Sequence, residues 1–160
     1  MAATPIAAAS RYFPTGTTKY VFCTSIASKT APSRAEINAG TDVSGELKEV
    51  DGWQVTSELI EVPDINSRFT GKIPGRTSAD DSSITFYADP SGSDARTLFP
   101  RDTTGFILRM DGGDVTGRKM DVFPVRVSSI PKDMGTGDDA ATIMVQFAIT
   151  SEPAENVTIP

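Results

Sequence analysis

Few side chains in these 160 residues are suited to acid–base, nucleophilic or metal chemistry: there is no histidine, and one cysteine, Cys23. Histidine is the commonest proton carrier near neutral pH and the usual base beside a catalytic Ser or Cys, so those mechanisms lose their customary partner. Cys23 follows Val21 and Phe22 in an apolar stretch and reads as a small buried hydrophobe. With no second thiol, a disulfide framework is excluded, which fits folding in a reducing compartment. Carboxylates occur as two adjacent pairs, Asp80–Asp81 and Asp138–Asp139, each in a Gly/Ser/Thr-rich stretch. Calcium loops alternate their ligands around a glycine, and neither pair does so, which leaves solvated loop charge or a cap as the better reading. Gly135–Thr136–Gly137 is too short for a phosphate cradle. Asn156–Val157–Thr158 has the pattern of a glycosylation acceptor, but nothing else suggests secretion. The sequence therefore designates no catalytic residue, no metal ligands and no cofactor site.

What remains is charge and apolar contact. Arg68, Lys72 and Arg76 recur every fourth residue in a polar stretch, Pro63–Ser83, that also carries Asp64, Asp80 and Asp81. Two isolated apolar residues, Phe69 and Ile73, stand out from it like anchors. Connections in compact domains usually run ~4–6 residues, and structureless ones beyond ~12–15 residues commonly bind something. The stretch is expected to be a loop that docks on a neighbouring copy of the chain, with the basic residues and Asp80–Asp81 in inter-subunit ion pairs or solvated. Formal charge is −6 and the pI near 4.6. That balance argues against gripping nucleic acid, which needs clustered Lys and Arg.

The elements that must position these residues are mainly strands. Ala141, Ile143, Val145, Phe147 and Ile149 alternate with polar or small residues, the mark of a half-buried strand. Phe106 to Met110 alternates likewise, turns at Asp111–Gly112–Gly113–Asp114, and returns over Met120–Ser129. Pro124 places that return strand at an edge or on a bulge. Lys19–Cys23 and Ile84–Ala88 supply further strands. Asp51–Gly52 reads as a hairpin turn between Glu46–Val50 and Trp53–Val62, with Trp53 in the core. Ser33 and Glu36 have capping-box spacing for a short helix ending near Gly40. Ser93 caps a second helix over Asp94–Leu98, stopped by Pro100.

The sum is one mainly β domain: a sandwich or barrel of roughly seven or eight strands with one or two short flanking helices. Residues 1–18 read as a flexible N-terminal arm, 19–150 as the domain with its 63–83 loop, and 151–160 as a C-terminal arm. The alanine-rich start, with Pro5 and no basic region, makes a poor secretory signal. Apolar stretches fall far short of the ~20 residues of a membrane span, so no membrane anchor is expected.

Four segments carry a resemblance: Ile73 to Tyr87, Met110–Asp111–Gly112–Gly113–Asp114, Phe123 to Ser129, and Ile149 to Val157. In this order the chain resembles the tail tube (major tail) proteins of long-tailed siphophages, particularly those infecting actinobacteria. The resemblance implies a non-enzymatic virion protein with a β-sandwich and flanking helix. Such chains form six-fold rings whose inner strands join into a continuous β-barrel, and the rings stack into a hollow tail tube for DNA ejection. It implies assembly in the host cytoplasm with a tail-tip or baseplate initiator, a tape measure protein and a tail terminator, and passage of phage DNA without specific binding. Candidate wall-lining positions are Gln54, Thr56 and Glu58 on one strand and Thr142, Gln146 and Thr150 on another, opposite the core faces. Two rival readings are a tube protein of a contractile tail or secretion machine, and a monomeric β-sandwich binding module. The second would display an exposed aromatic cluster. A hydrolase built on Asp80 or Asp138 is a more distant third.

Overall fold

A computed structural model describes residues 3–160. Strands dominate it: β1 (Lys19–Cys23), β2 (Thr41–Asp42), β3 (Leu47–Asp51), β4 (Val55–Val62), β5 (Gly71–Ala79), β6 (Ser82–Tyr87), β7 (Thr104–Met110), β8 (Lys119–Ser129), β9 (Lys132–Asp133), β10 (Thr142–Ile149) and β11 (Ala154–Thr158). Two short helices, α1 (Arg34–Asn38) and α2 (Ala95–Leu98), complete the set. The mainly β expectation holds. The strand count exceeds it because two-residue β2 and β9 are too short to show a pattern, and because β5 and β11 lie in segments expected to be a loop and an arm.

Nine strands form one sheet in the order β2-β1-β7-β8-β10-β6-β3, with β9 added to β10 and β11 to β8. The two ends of this order, β2 and β3, are joined in the chain by Val43 and a 3₁₀ turn at Ser44–Glu46. The sheet must therefore roll until its edges face each other, an incompletely closed barrel. Its interior is the first core. Phe22, Ile84, Phe86, Ile107, Val125 and Phe147 point inward, and α2 plugs the interior with Phe99. The Phe99 ring meets Phe22 at 4.9 Å and Phe147 at 5.4 Å, both edge to face.

A second core lies on the other face of β1, β7 and β8. There Val21, Leu108, Met110, Met120 and Val122 are covered by Ile37 of α1 and by Val157 and Ile159 of the C-terminal segment. The last residues are thus part of the folded domain. The expectation of a C-terminal arm over 151–160 is corrected: Val157 and Ile159 are apolar and find a groove beside β8, so burial wins over the polar Ser151–Glu155 lead-in.

Local signals behave as their chemistry dictates, with corrections. Ser33 and Glu36 form the capping box in full. Gly40 follows α1 at a close approach, where a Cβ would sit 2.7 Å from both Cys23 Sγ and Val21. The second helix is capped by Asp94, not Ser93, through its side chain and the Arg96 amide. Pro124 lies in a central strand, not at an edge. β8 pairs with β10 over Val125–Ser129 and with β11 over Lys119–Val122, so proline occupies the change of partner, where its carbonyl accepts from the Thr150 amide at 3.0 Å.

The largest correction concerns 51–83. Asp51–Gly52 does not close a hairpin. β3 pairs with β6, while β4 pairs with β5 as a separate two-stranded sheet. The stretch expected as a structureless loop is half strand, and the β4–β5 hairpin stands off the barrel as an arm.

Candidate assembly surface

The root of the arm is built from Gly52 and Trp53, both with positive φ, 80° and 61°. Glycine adopts this readily, but tryptophan does so at a cost, and such strain persists only where the surroundings fix it. They do. The indole packs against Phe123 at 5.2 Å and Phe147 at 5.5 Å, and its Nε1 donates to the Ser83 carbonyl at 3.2 Å. The Trp53 amide donates to Ser82 Oγ at 3.0 Å, and that hydroxyl donates to the Asp80 carbonyl. The Asp80 amide reaches the Gln54 carbonyl at 3.1 Å. Both legs of the arm are therefore clasped where they leave the barrel. This is why Asp51–Gly52 makes no hairpin: the buried indole and Ser82 hold residue 53 in the core and turn the chain outward.

Arg109 braces the clasp from behind. Its guanidinium donates to the Trp53 carbonyl at 3.2 Å and to Asp121 at 2.5 Å, and lies 5.6 Å from the Phe123 ring centroid. Its Nε sits 3.2 Å from Asp111 Oδ1 without aligning for a hydrogen bond. Asp121 also accepts from the Asn156 amide at 2.8 Å, tying in β11.

Beyond the root most residues of the arm are exposed. Uninterrupted alternation on β4 puts Thr56, Glu58, Ile60 and Val62 on one face, and Val55, Ser57, Leu59 and Glu61 on the other. Ile60 lies opposite Ile73, and Leu59 opposite Pro74. The register shifts once, so that Gly75 and Arg76 together oppose Glu58. Asp64 Oδ1 accepts the Asn66 amide at 2.7 Å and orders the tip, from which Ile65 and Phe69 project. Phe69 is 81% exposed and Ile73 52%. One face is polar near the root, at Thr56 and Glu58, and apolar toward the tip, at Ile60, Val62 and Ile73.

The residues expected to mediate assembly separate accordingly. Arg68, Phe69, Lys72, Ile73 and Arg76 all lie exposed on β5 or its approach, while Asp80 and Asp81 belong to the root. Lys72 pairs with Glu61 across the hairpin at 3.1 Å. Of the candidate wall residues, Gln54, Thr56, Glu58 and Thr150 are exposed, and Gln146 is half-buried and hydrogen-bonded to Ser129 at 3.0 Å. Thr142 is corrected: it is 8% exposed, covered where β6 and β9 flank β10, and presents no free surface. Ile60, Val62 and Ile65 were missed as exposed apolar groups because strand periodicity alone does not say whether an apolar face is covered. The Trp53–Ser82–Arg109 clasp joins residues far apart in sequence and left no local signal.

No group of three or more His, Cys, Asp or Glu among the described residues is placed to hold a metal ion. Burial pushes the Cys23 thiol up to about 11, with the Glu36 carboxylate adding to the shift, which leaves it protonated and inert.

Comparison with known proteins bears on the fold and the family. A chain of the extracellular contractile injection system PVC, its sheath/tube terminator in the extended state, superposes with a TM-score of 0.63 at 11% identity, covering 91% of this chain and 97% of that one. The SPP1 tail tube superposes at 0.57 and 16% identity, covering 90% and 78%. A tail chain of an empty GTA particle, refined with C6 symmetry, gives 0.52 at 14% identity, covering 74% and 87%. At these identities the likenesses establish the fold. No curated protein sequence matches the chain. Residues 7–160 match the sequence family described as phage tail tube protein, a structural and not an enzymatic family. With that match spanning nearly its whole length, the chain belongs to the phage tail tube protein family.

Proposed function

We propose that this chain polymerises into stacked six-fold rings that form the hollow tube of a non-contractile, siphophage-type tail, a conduit for genome ejection. The observation that carries the reading is the arm: a two-stranded hairpin exposing Ile60, Val62, Ile65, Phe69 and Ile73 beyond a rigid root. A lone two-stranded hairpin is marginal in water, and a contiguous apolar patch on a soluble chain marks a contact surface. The arm reaches a copy in the adjacent ring and buries its tip there, where each covered Phe or Ile side chain contributes on the order of 1.5–3 kcal/mol. Six-fold closure follows the symmetry of the GTA tail. A heterologous contact closes into a ring, while stacking extends without limit until a terminator stops it. Gln54, Thr56, Glu58, Gln146 and Thr150 are the proposed wall positions, polar or acidic so that DNA passes without sticking. The initiator, tape measure protein and terminator set start and length, and assembly takes place in the host cytoplasm.

The double variant Phe69→Asp, Ile73→Asp tests the docking. It is expected to give folded monomers that no longer stack, read by electron microscopy and sedimentation. Tubes of ordinary length from this variant would sink the docking. A second reading, a tube component of a contractile machine, draws on the likeness to the injection-system terminator. It requires an outer surface that binds a sheath, and co-sedimentation with sheath protein would select it.

A further inference from the structure

The barrel closes incompletely, and the gap leaves a recess. Where β2 and β3 face each other the chain crosses by Val43 and the Ser44–Glu46 turn. Between that crossing, the end of β6 and α2 lies a recess of about 300 Å³. Its floor is aromatic, made by Phe86 and Phe99 of the first core, with Leu98 half-buried at its side. Asp42, Glu46, Asp89 and Asp94 stand around it, and no lysine or arginine among the described residues lines it. Lys19 pairs with Asp42, and Lys132 approaches Asp94 at 3.9 Å. Glu46 and Asp89 have no ion-pair partner among the described residues. The tip of the arm is its complement: Phe69 is exposed, and beside it Arg68 likewise has no ion-pair partner among the described residues. The two features sit at opposite ends of the barrel. β3 and β6 run antiparallel, with Asp51 beside Ser83 and Leu47 beside Phe86. Both legs of the arm are clasped at the Asp51–Ser82 end, and the recess opens at the Glu46–Tyr87 end.

We infer that this recess is the socket for the arm. Phe69 of a copy in the adjacent ring enters between α2 and the β2–β3 crossing, with Arg68 against Glu46 and Asp89. The inference rests on the tube reading above and adds to it the surface that receives the arm. One copy set end to end on another brings its arm to the other's recess, a heterologous contact that repeats along the stack without closing. Reach is sufficient, since the eight residues of β4 extend ~26 Å at ~3.3 Å each. The Phe69 ring is then buried against Leu98 and Phe99, where an aromatic floor favours edge-to-face contact. Opposite charges at the mouth fix the orientation, while the buried ring supplies most of the affinity. Arm end against arm end gives Phe69 no such socket, so the contact also sets the polarity of the stack.

Cross-linking tests the socket. Thr70→Cys lies on the exposed arm, and Gly45→Cys lies beside Glu46, where an added Cβ meets no atom within 4 Å. The native Cys23 is buried and does not compete. In tubes of the double variant a short bis-maleimide is expected to join copies end to end, giving a ladder of covalent multimers on denaturing gels. Either single variant stops at dimers. A charge exchange reads the same contact without added thiols. Arg68→Glu and Glu46→Arg, each shown by thermal melts to be folded, should raise the concentration needed for tubes by about two- to fivefold. Combined in one chain, they should recover most of that loss. Tubes that form without the ladder mean that another surface takes the arm, and they overturn the socket while the tube reading stands. A charge exchange that fails to recover does the same. If the wild-type chain never associates, both fall.

Discussion

Trp53 shows how one residue converts a local signal into a different architecture. Asp51–Gly52 followed by an alternating stretch is a strong hairpin pattern, yet Trp53 carries a positive φ and sends β4 away from β3. The strain is held by the indole among Phe123 and Phe147 and by Ser82 and Arg109. Gly52 has no such freedom to vary. A Cβ there would lie 2.4 Å from the Asp81 carbonyl oxygen, at a φ that side chains avoid. Gly52→Ala is therefore expected to destabilise the fold by about 1–3 kcal/mol, measured by urea denaturation. Glu36 makes a second residue-level case. The Ala27 and Ser33 amides and the Ser33 hydroxyl hold its carboxyl below the usual glutamate range. A lowered native value means its contribution is complete above the unfolded value and is lost as pH falls through the native one. Glu36→Gln should lower stability at neutral pH and narrow its difference from wild type in acid, read from melts across that range.

At the scale of elements, legibility followed cover. β10 was readable because one face is apolar and buried, which leaves a period of two. β7 and β8 were readable because apolar residues recur at every second position, although a core covers each of their faces. β5 was not. Gly71, Pro74 and Gly75 weaken its strand signal, and neither of its faces is buried within one chain. Phe69 and Ile73 could be singled out as anchors because they are apolar against a polar background; the strand that presents Ile73 and the tip that presents Phe69 could not. β11 failed differently. Five residues with a shifted register at Asn156 carry too little pattern to distinguish an arm from a strand. Its energetics now make a sharp expectation. Ile159 is fully buried in the second core, so Ile159→Ala should cost about 2–5 kcal/mol of stability, seen as a lowered denaturation midpoint. A dispensable arm would tolerate the change within about 0.5 kcal/mol.

At the scale of the whole molecule, the barrel and the arm divide the work. The barrel keeps two buried cores and places Trp53, Ser82 and Arg109 at the arm's root. The arm presents apolar and charged groups that one copy leaves open to water. In the proposed tube other copies cover these groups, and the chain belongs to the phage tail tube protein family. The most direct measurement is negative-stain electron microscopy of the purified wild-type protein at high concentration, with and without a tail-tip initiator complex. Hollow tubes or stacked rings are the expected result. Monomers that persist in the presence of the initiator would contradict the account.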